Sequence, residues 1–136
     1  MTLFVDTSVW SRAFRRDAPA AFNERRELVR AIEAGEELVT TGLVLQELLQ
    51  GFSGPRNRRQ ILERFDALPL LIPDRRDYVD AAELRNTCRR GGIQIGTIDA
   101  LLAQLCIRHD LVMLTADKDF REIACHCELK LWTAAA

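Results

Sequence analysis

Apolar residues in this chain fall into two kinds of run. Five runs are short: "TLFVD" at 2–6, "ELVTT" at 37–41, "LPLLIP" at 68–73, "LVMLT" at 111–115 and "LKLW" at 129–132. Short apolar runs bounded by turn residues or charges predict strands buried on both faces. The remaining apolar positions recur with helical spacing. Those at 44, 45, 48, 49 and 52 give one helix its stripe. Further helices are predicted over 7–14, 20–34, 55–67, 75–90, 97–110 and 117–124. Pro19 marks a helix start, and Gly35 and the Gly91-Gly92 pair mark helix ends. Segment 97–110, "TIDALLAQLCIRHD", is almost wholly apolar, so other elements must enclose it. Short apolar strands alternating with helices predict an α/β fold: a parallel sheet covered on both faces. Such sheets bind ligands beyond the carboxyl ends of their strands. The residues at those ends therefore carry the functional question.

Composition narrows the classes. A length of 136 residues suits one domain spanning 1–136 and allows a core without disulfides or metal. Hydrophobic residues at 48% and charged residues at 29% exclude a disordered chain. No apolar run approaches membrane-span length, and "MTLFVD" lacks the features of a signal peptide. The expectation is a cytoplasmic protein with no membrane partner. Four cysteines do not read as a disulfide framework in a chain of this size, and Cys106 falls in the apolar helical pattern as a predicted core residue. "CHC" at 125–127 lacks the paired spacing and the second pair of a structural zinc site. The net charge of −1 gives no bulk signature for nucleic acid. Arginine is nonetheless grouped: Arg12, Arg15 and Arg16; Arg25 and Arg26; Arg56, Arg58 and Arg59; Arg75 and Arg76; Arg89 and Arg90. Its planar fork suits phosphate, although any single group reads as a solvated helix face.

The acids gather where the fold predicts a site. Asp6 ends the first strand, and Asp117 and Asp119 follow "LVMLT". Asp99 stands in the first turn of the helix leading into that strand. In a parallel sheet all four share one edge. Glu47 lies beside the apolar stripe of its helix. Each aspartate near a helix start also reads as a cap. Convergence argues against capping alone, because two carboxylates about 5 Å apart repel by roughly 3 kcal/mol at an effective dielectric of 20. A shared proton or a cation would relieve that repulsion. Oxygen donors without histidine or cysteine suit Mg²⁺, with Mn²⁺ as a substitute, and metal-assisted phosphoryl transfer as the chemistry.

The same residues carry a resemblance. "FVDTSVW", "TTGLVLQELLQG", "IGTIDALLAQ" and "LTADKDF" resemble, in order and spacing, the PIN-domain ribonucleases, specifically the VapC toxins of VapBC toxin–antitoxin pairs. The resemblance spans nearly the whole chain. It implies a single PIN-like domain, three layers deep (α/β/α), with a parallel sheet of about five strands. It implies a Mg²⁺-dependent endoribonuclease, a homodimer and a cognate VapB antitoxin that blocks the site. Residue by residue, it implies Asp6, Glu47, Asp99 and Asp117 as the catalytic acids, with Asp6, Asp99 and Asp117 on the metal. Asp119 takes a variable or outer role, and Thr7, Ser8 and Thr115 orient the acids or metal-bound waters. Gly96 stands where many relatives carry proline, and "CHC" is no part of the pattern.

The expected reaction is hydrolysis of an RNA phosphodiester, with Arg12, Arg15 and Arg16 contacting the RNA backbone. Two rivals are weighed beside it. A phosphatase or phosphotransferase with Asp6 as nucleophile would carry "D-x-D-x-T", and Ser8 stands where its second aspartate belongs. A catalytically weak PIN-like binding module would capture a basic partner peptide in the acidic groove; the complete set of acids argues against it.

Overall fold

The computed structural model describes residues 1–15 and 22–134. The first strand, β1 (Leu3–Val5), is wholly buried and runs into helix α1 (Thr7–Phe14). Helix α2 (Asn23–Glu33) follows, and Gly35 turns the chain away from it with a φ of 70° that favours glycine. The predicted start of this helix at Pro19 and Ala20 lies outside the described residues. Strand β2 (Leu38–Thr41) leads into α3 (Gly42–Gly51), which begins where the Thr41 hydroxyl accepts a hydrogen bond from the Val44 N–H. Helix α4 (Pro55–Asp66) starts on proline, as its missing N–H allows, and β3 (Leu70–Leu71) follows. The second half comprises α5 (Arg75–Arg90), α6 (Thr97–Arg108), β4 (Val112–Leu114), α7 (Lys118–Ala124) and β5 (Lys130–Leu131).

Every strand pair is parallel, and the order across the sheet is β3-β2-β1-β4-β5. The chain therefore winds outward from β1 to β3, returns across β1, and winds outward again to β5. Right-handed crossovers then place α1–α4 on one face and α5–α7 on the other, which gives the three layers. The contacts agree: α1 packs on α2 and α3, and α6 packs on α5 and α7. Between the layers lies the core of Leu3, Phe4, Val5, Leu48, Leu102, Met113, Leu114 and Phe120, each at most 1% exposed. The enclosure predicted for the apolar helix is present: α6 is buried at six positions, from Ala100 to Cys106. Among the described residues no helix is long and apolar enough to cross a membrane.

Candidate active site

The sheet reverses its winding between β1 and β4, and their carboxyl ends define the crevice where such folds bind ligands. Asp6 follows β1 directly, and its N–H donates to the Leu114 carbonyl across the crevice at 2.9 Å. Its side chain does not cap α1, although it occupies the N-cap position. Instead Oδ2 accepts two hydroxyls, Ser8 Oγ and Thr115 Oγ1, each at 2.8 Å. These hydroxyls are themselves fixed. Ser8 Oγ accepts the Ala116 N–H at 2.9 Å, and Thr115 Oγ1 accepts the Asp117 N–H at 3.0 Å. Asp6 is thus pinned to both strands that frame the crevice. Burial, at 6% exposure, lifts its pKa above the ordinary carboxylate value despite the two hydroxyls.

Asp117 does cap its helix: Oδ1 accepts the Asp119 N–H at 2.9 Å. That bond holds one carboxylate oxygen of Asp117 and fixes the backbone at Asp119. Asp99 enters from α6. One carboxylate oxygen each of Asp99, Asp117 and Asp119 lies within 4.8 Å of the other two. Asp99 has its pKa pushed up to about 6, first by burial and then by the charges of Asp117, Asp6, Asp119 and Glu47. One proton thus feels all five acids, which places the predicted set in one electrostatic neighbourhood. Glu47 approaches from α3 and accepts the Thr7 hydroxyl at 3.4 Å. Its own pKa is raised by partial burial and then by Asp6.

The tight triad includes Asp119 and leaves Asp6 and Glu47 beside it. All three donors are carboxylates, and none of the ion pairs among the described residues involves any of the five acids. Clustered oxygen donors with an uncompensated charge fit a hard divalent cation. The "CHC" segment does other work. The Cys125 and Cys127 thiols donate to the carbonyls of Arg121 and Ile123 at the end of α7, and His126 lies against Gly91. Arg12 sits in the last turn of α1, with its guanidinium carbon 4.2 Å from the Phe22 ring centroid, and Arg15 is exposed beyond it. Arg16 lies outside the described residues. A hollow of about 750 Å³ adjoins the acids without containing them; it shares the first turns of α3 and α6 and is lined by Leu43, Leu71, Ile98 and Leu101. Sequence reasoning passed over the N–H groups of Ala116 and Asp117 that lock the two hydroxyls, and no side-chain pattern marks such groups.

Known proteins share this arrangement of elements. The family model for the PIN domain matches residues 3–125. "Ribonuclease VapC11" of Mycobacterium tuberculosis is 30% identical over 124 residues, covering 90% of this chain and 91% of that one. Among solved structures, VapBC-1 from nontypeable Haemophilus influenzae superposes with a TM-score of 0.73 at 21% identity, over 97% of each chain. VapBC2 from Rickettsia felis, bound to a DNA fragment from their promoter, gives 0.71 at 20%, over 97% of this chain and 98% of that one. The two structural likenesses establish the fold; the family model and the mycobacterial relative go further, and by them the chain belongs to the PIN domain family, among the VapC proteins.

Proposed function

We propose that this protein is a Mg²⁺-dependent endoribonuclease, the toxin of a VapBC pair, held inactive by a cognate VapB antitoxin. The observation that carries the reading is the meeting of Asp99, Asp117 and Asp119 within 4.8 Å beside a pinned Asp6. Asp6, Asp99 and Asp117 would hold the metal, and Asp119 is close enough to join them. The bound cation supplies charge neutralisation at the phosphate and acidifies water, and Mn²⁺ serves the same purpose.

The chain's own residues do the rest. Ser8 and Thr115 fix the orientation of the Asp6 carboxylate. Glu47, whose pKa is raised, would complete the metal's shell or help deprotonate the attacking water. The water oxygen bonds to phosphorus, the P–O3′ bond breaks in line, and the 3′ oxygen leaves as a hydroxyl after protonation. The products carry a 5′-phosphate and a 3′-hydroxyl. Arg12, Arg15 and Arg16 are assigned to the RNA backbone, where guanidinium groups add salt-dependent affinity.

The reading includes a cytoplasmic homodimer. Leu70, Ile72, Tyr78 and Ile98 are exposed around the hollow beside the acids, and Ile72 projects with 85% of its surface free. A projecting apolar residue at the lip of an apolar hollow is self-complementary about a two-fold axis. Ile72→Asp should shift the mass in solution from dimer to monomer.

The decisive experiment is cleavage of total RNA by antitoxin-free protein with Mg²⁺, with Mn²⁺ and with chelator, beside Asp99→Asn. Metal-dependent cutting that the variant loses supports the proposal. A folded, metal-binding protein that cuts no RNA, yet captures a VapB-like peptide, would favour the binding-module reading instead.

A further inference from the structure

Among the described residues, three of the five acids at the sheet edge are fixed through their own side chains and a fourth through its backbone. Asp6 accepts two hydroxyls, Glu47 accepts Thr7 and Asp117 caps α7, while Asp119 is tied by its backbone N–H, which donates to Asp117. Asp99 differs. Among the described residues its carboxylate accepts no hydrogen bond, so its position comes from the backbone of α6. That helix begins on Gly96, which has no side chain to cap it. The segment Gly91–Gly96 must therefore set where α6 starts.

The segment is held at both ends. At its start, Gly92 takes a φ of 87°, and the Ile93 N–H returns to the Cys88 carbonyl at 2.9 Å. The His126 ring packs on Gly91 so closely that an added Cβ would lie 2.5 Å from Cε1. At its end, Ile95 is buried at 6% exposure, and the Arg85 Nε–H donates to its carbonyl at 2.8 Å. Arg85 stands on α5, which packs along α6. It is thus the only described side chain that bonds the last residue before the α6 cap.

We propose that Arg85 is a positioning residue for Asp99: by tethering the Ile95 carbonyl to α5, it sets the first turn of α6 and with it the metal-binding geometry at the sheet edge. The inference rests on the metal reading above. It assigns Arg85 no contact with metal or RNA. Among the described residues, Arg85 acts on the one edge acid tied neither by a bond to its side chain nor by its N–H to a neighbouring acid.

The test uses the full chain, free of antitoxin and metal, titrated with Mn²⁺ by calorimetry. Amide exchange of Ala100, whose N–H donates to the Gly96 carbonyl at 3.1 Å, is followed in parallel. Arg85→Ala should weaken Mn²⁺ binding about tenfold, the scale of a lost supporting bond behind a metal ligand, and speed Ala100 exchange. Arg85→Lys, which keeps a donor, should retain most of both. Arg108→Ala, at the far end of α6, should lower the thermal midpoint and leave Mn²⁺ affinity unchanged. Wild-type Mn²⁺ affinity in Arg85→Ala overturns the proposal. So does a loss as complete with lysine as with alanine, or an equal loss in Arg108→Ala. If the wild-type protein binds no Mn²⁺, the metal reading fails on its own, and unaltered Ala100 exchange in Arg85→Ala then removes the tether as well.

Discussion

Asp77 and Asp6 are both buried carboxylates, at 1% and 6% exposure, and the chain treats them in opposite ways. At Asp77, burial pushes the pKa up, but the Asp74 N–H at 2.9 Å and the Arg108 guanidinium at 2.6 Å outweigh it and the net shift is downward. The ion pair ties the start of α5 to the end of α6, and a reciprocal capping box with Asp74 completes it. At Asp6, burial prevails over two hydroxyls, and the pKa rises. A carboxylate that serves structure is supplied with its own cation. The acids at the sheet edge are not, and their unrelieved charge is what an external cation would neutralise.

The largest test of this contrast is a pair of charge-removing variants. Asp99→Asn should lower RNA cleavage on the order of a hundredfold or more, since metal stabilisation of the transition state is worth several kcal/mol. The same variant should raise the thermal midpoint of metal-free protein, because it removes repulsion. Arg108→Met should do the reverse. It leaves Asp77 buried without its cation and should cost about 2 kcal/mol, roughly 6 °C in midpoint, with cleavage retained. Denaturation and cleavage assays on both proteins check the pair. A stabilising Arg108→Met, or a destabilising Asp99→Asn, would break the contrast.

A weaker effect lies in the pH dependence. Asp99 has a folded pKa of about 6 against an ordinary 3.8, so the folded state binds this proton more tightly than the unfolded chain. Stability of the metal-free protein should therefore fall as pH rises from about 4 to about 6, and level off above that. Asp6 and Glu47 are shifted in the same direction and steepen the fall. Asp77 has the opposite sign: its contribution is present above its unfolded pKa and is lost as pH drops through its lower folded value. The window between about 4 and 6 thus reports the edge acids and not Asp77. A cation must displace the shared proton, so Mn²⁺ affinity should climb across that window. Thermal melts and calorimetry at several pH values measure this directly, with Asp99→Asn as the control that keeps only the smaller slope left by Asp6 and Glu47.

How far the chain could be read in advance follows the same divide. The five strands were legible because short apolar runs have few other uses, and the observed strands trim the expected ranges by one to four residues. The acids were legible because parallel strands bring their ends to one edge. What each acid does there was not. Asp6 and Asp117 look alike as residues before a helix, yet only Asp117 caps, while Asp6 turns to Thr115, 109 positions away. Long-range partners of that kind leave no local pattern. Arginine shows the same limit. The groups visible in the sequence, such as Arg56, Arg58 and Arg59 or Arg89 and Arg90, are exposed. Arg85 and Arg108, which tie α5 to the segment before α6 and to its end, stand apart from any group and gave no signal.

The smallest predicted effect separates the two ends of the segment that presents Asp99. Gly91 has a φ of −82°, so alanine is allowed there by the backbone. The obstacle is His126, whose ring atoms lie 2.5 and 2.7 Å from where the Cβ would stand. Gly91→Ala must therefore rotate the imidazole or shift the end of α5. Because a side chain can yield more readily than a helix, the cost should be about 1 kcal/mol. His126→Ala removes the obstacle, so the double variant should recover most of that cost, and a double-mutant cycle of melts reads the coupling. Mn²⁺ affinity should stay close to wild type in all three proteins, since the Arg85 tether remains at the other end. A loss of affinity in Gly91→Ala that His126→Ala restores would instead make the histidine end of the segment the one that positions the site.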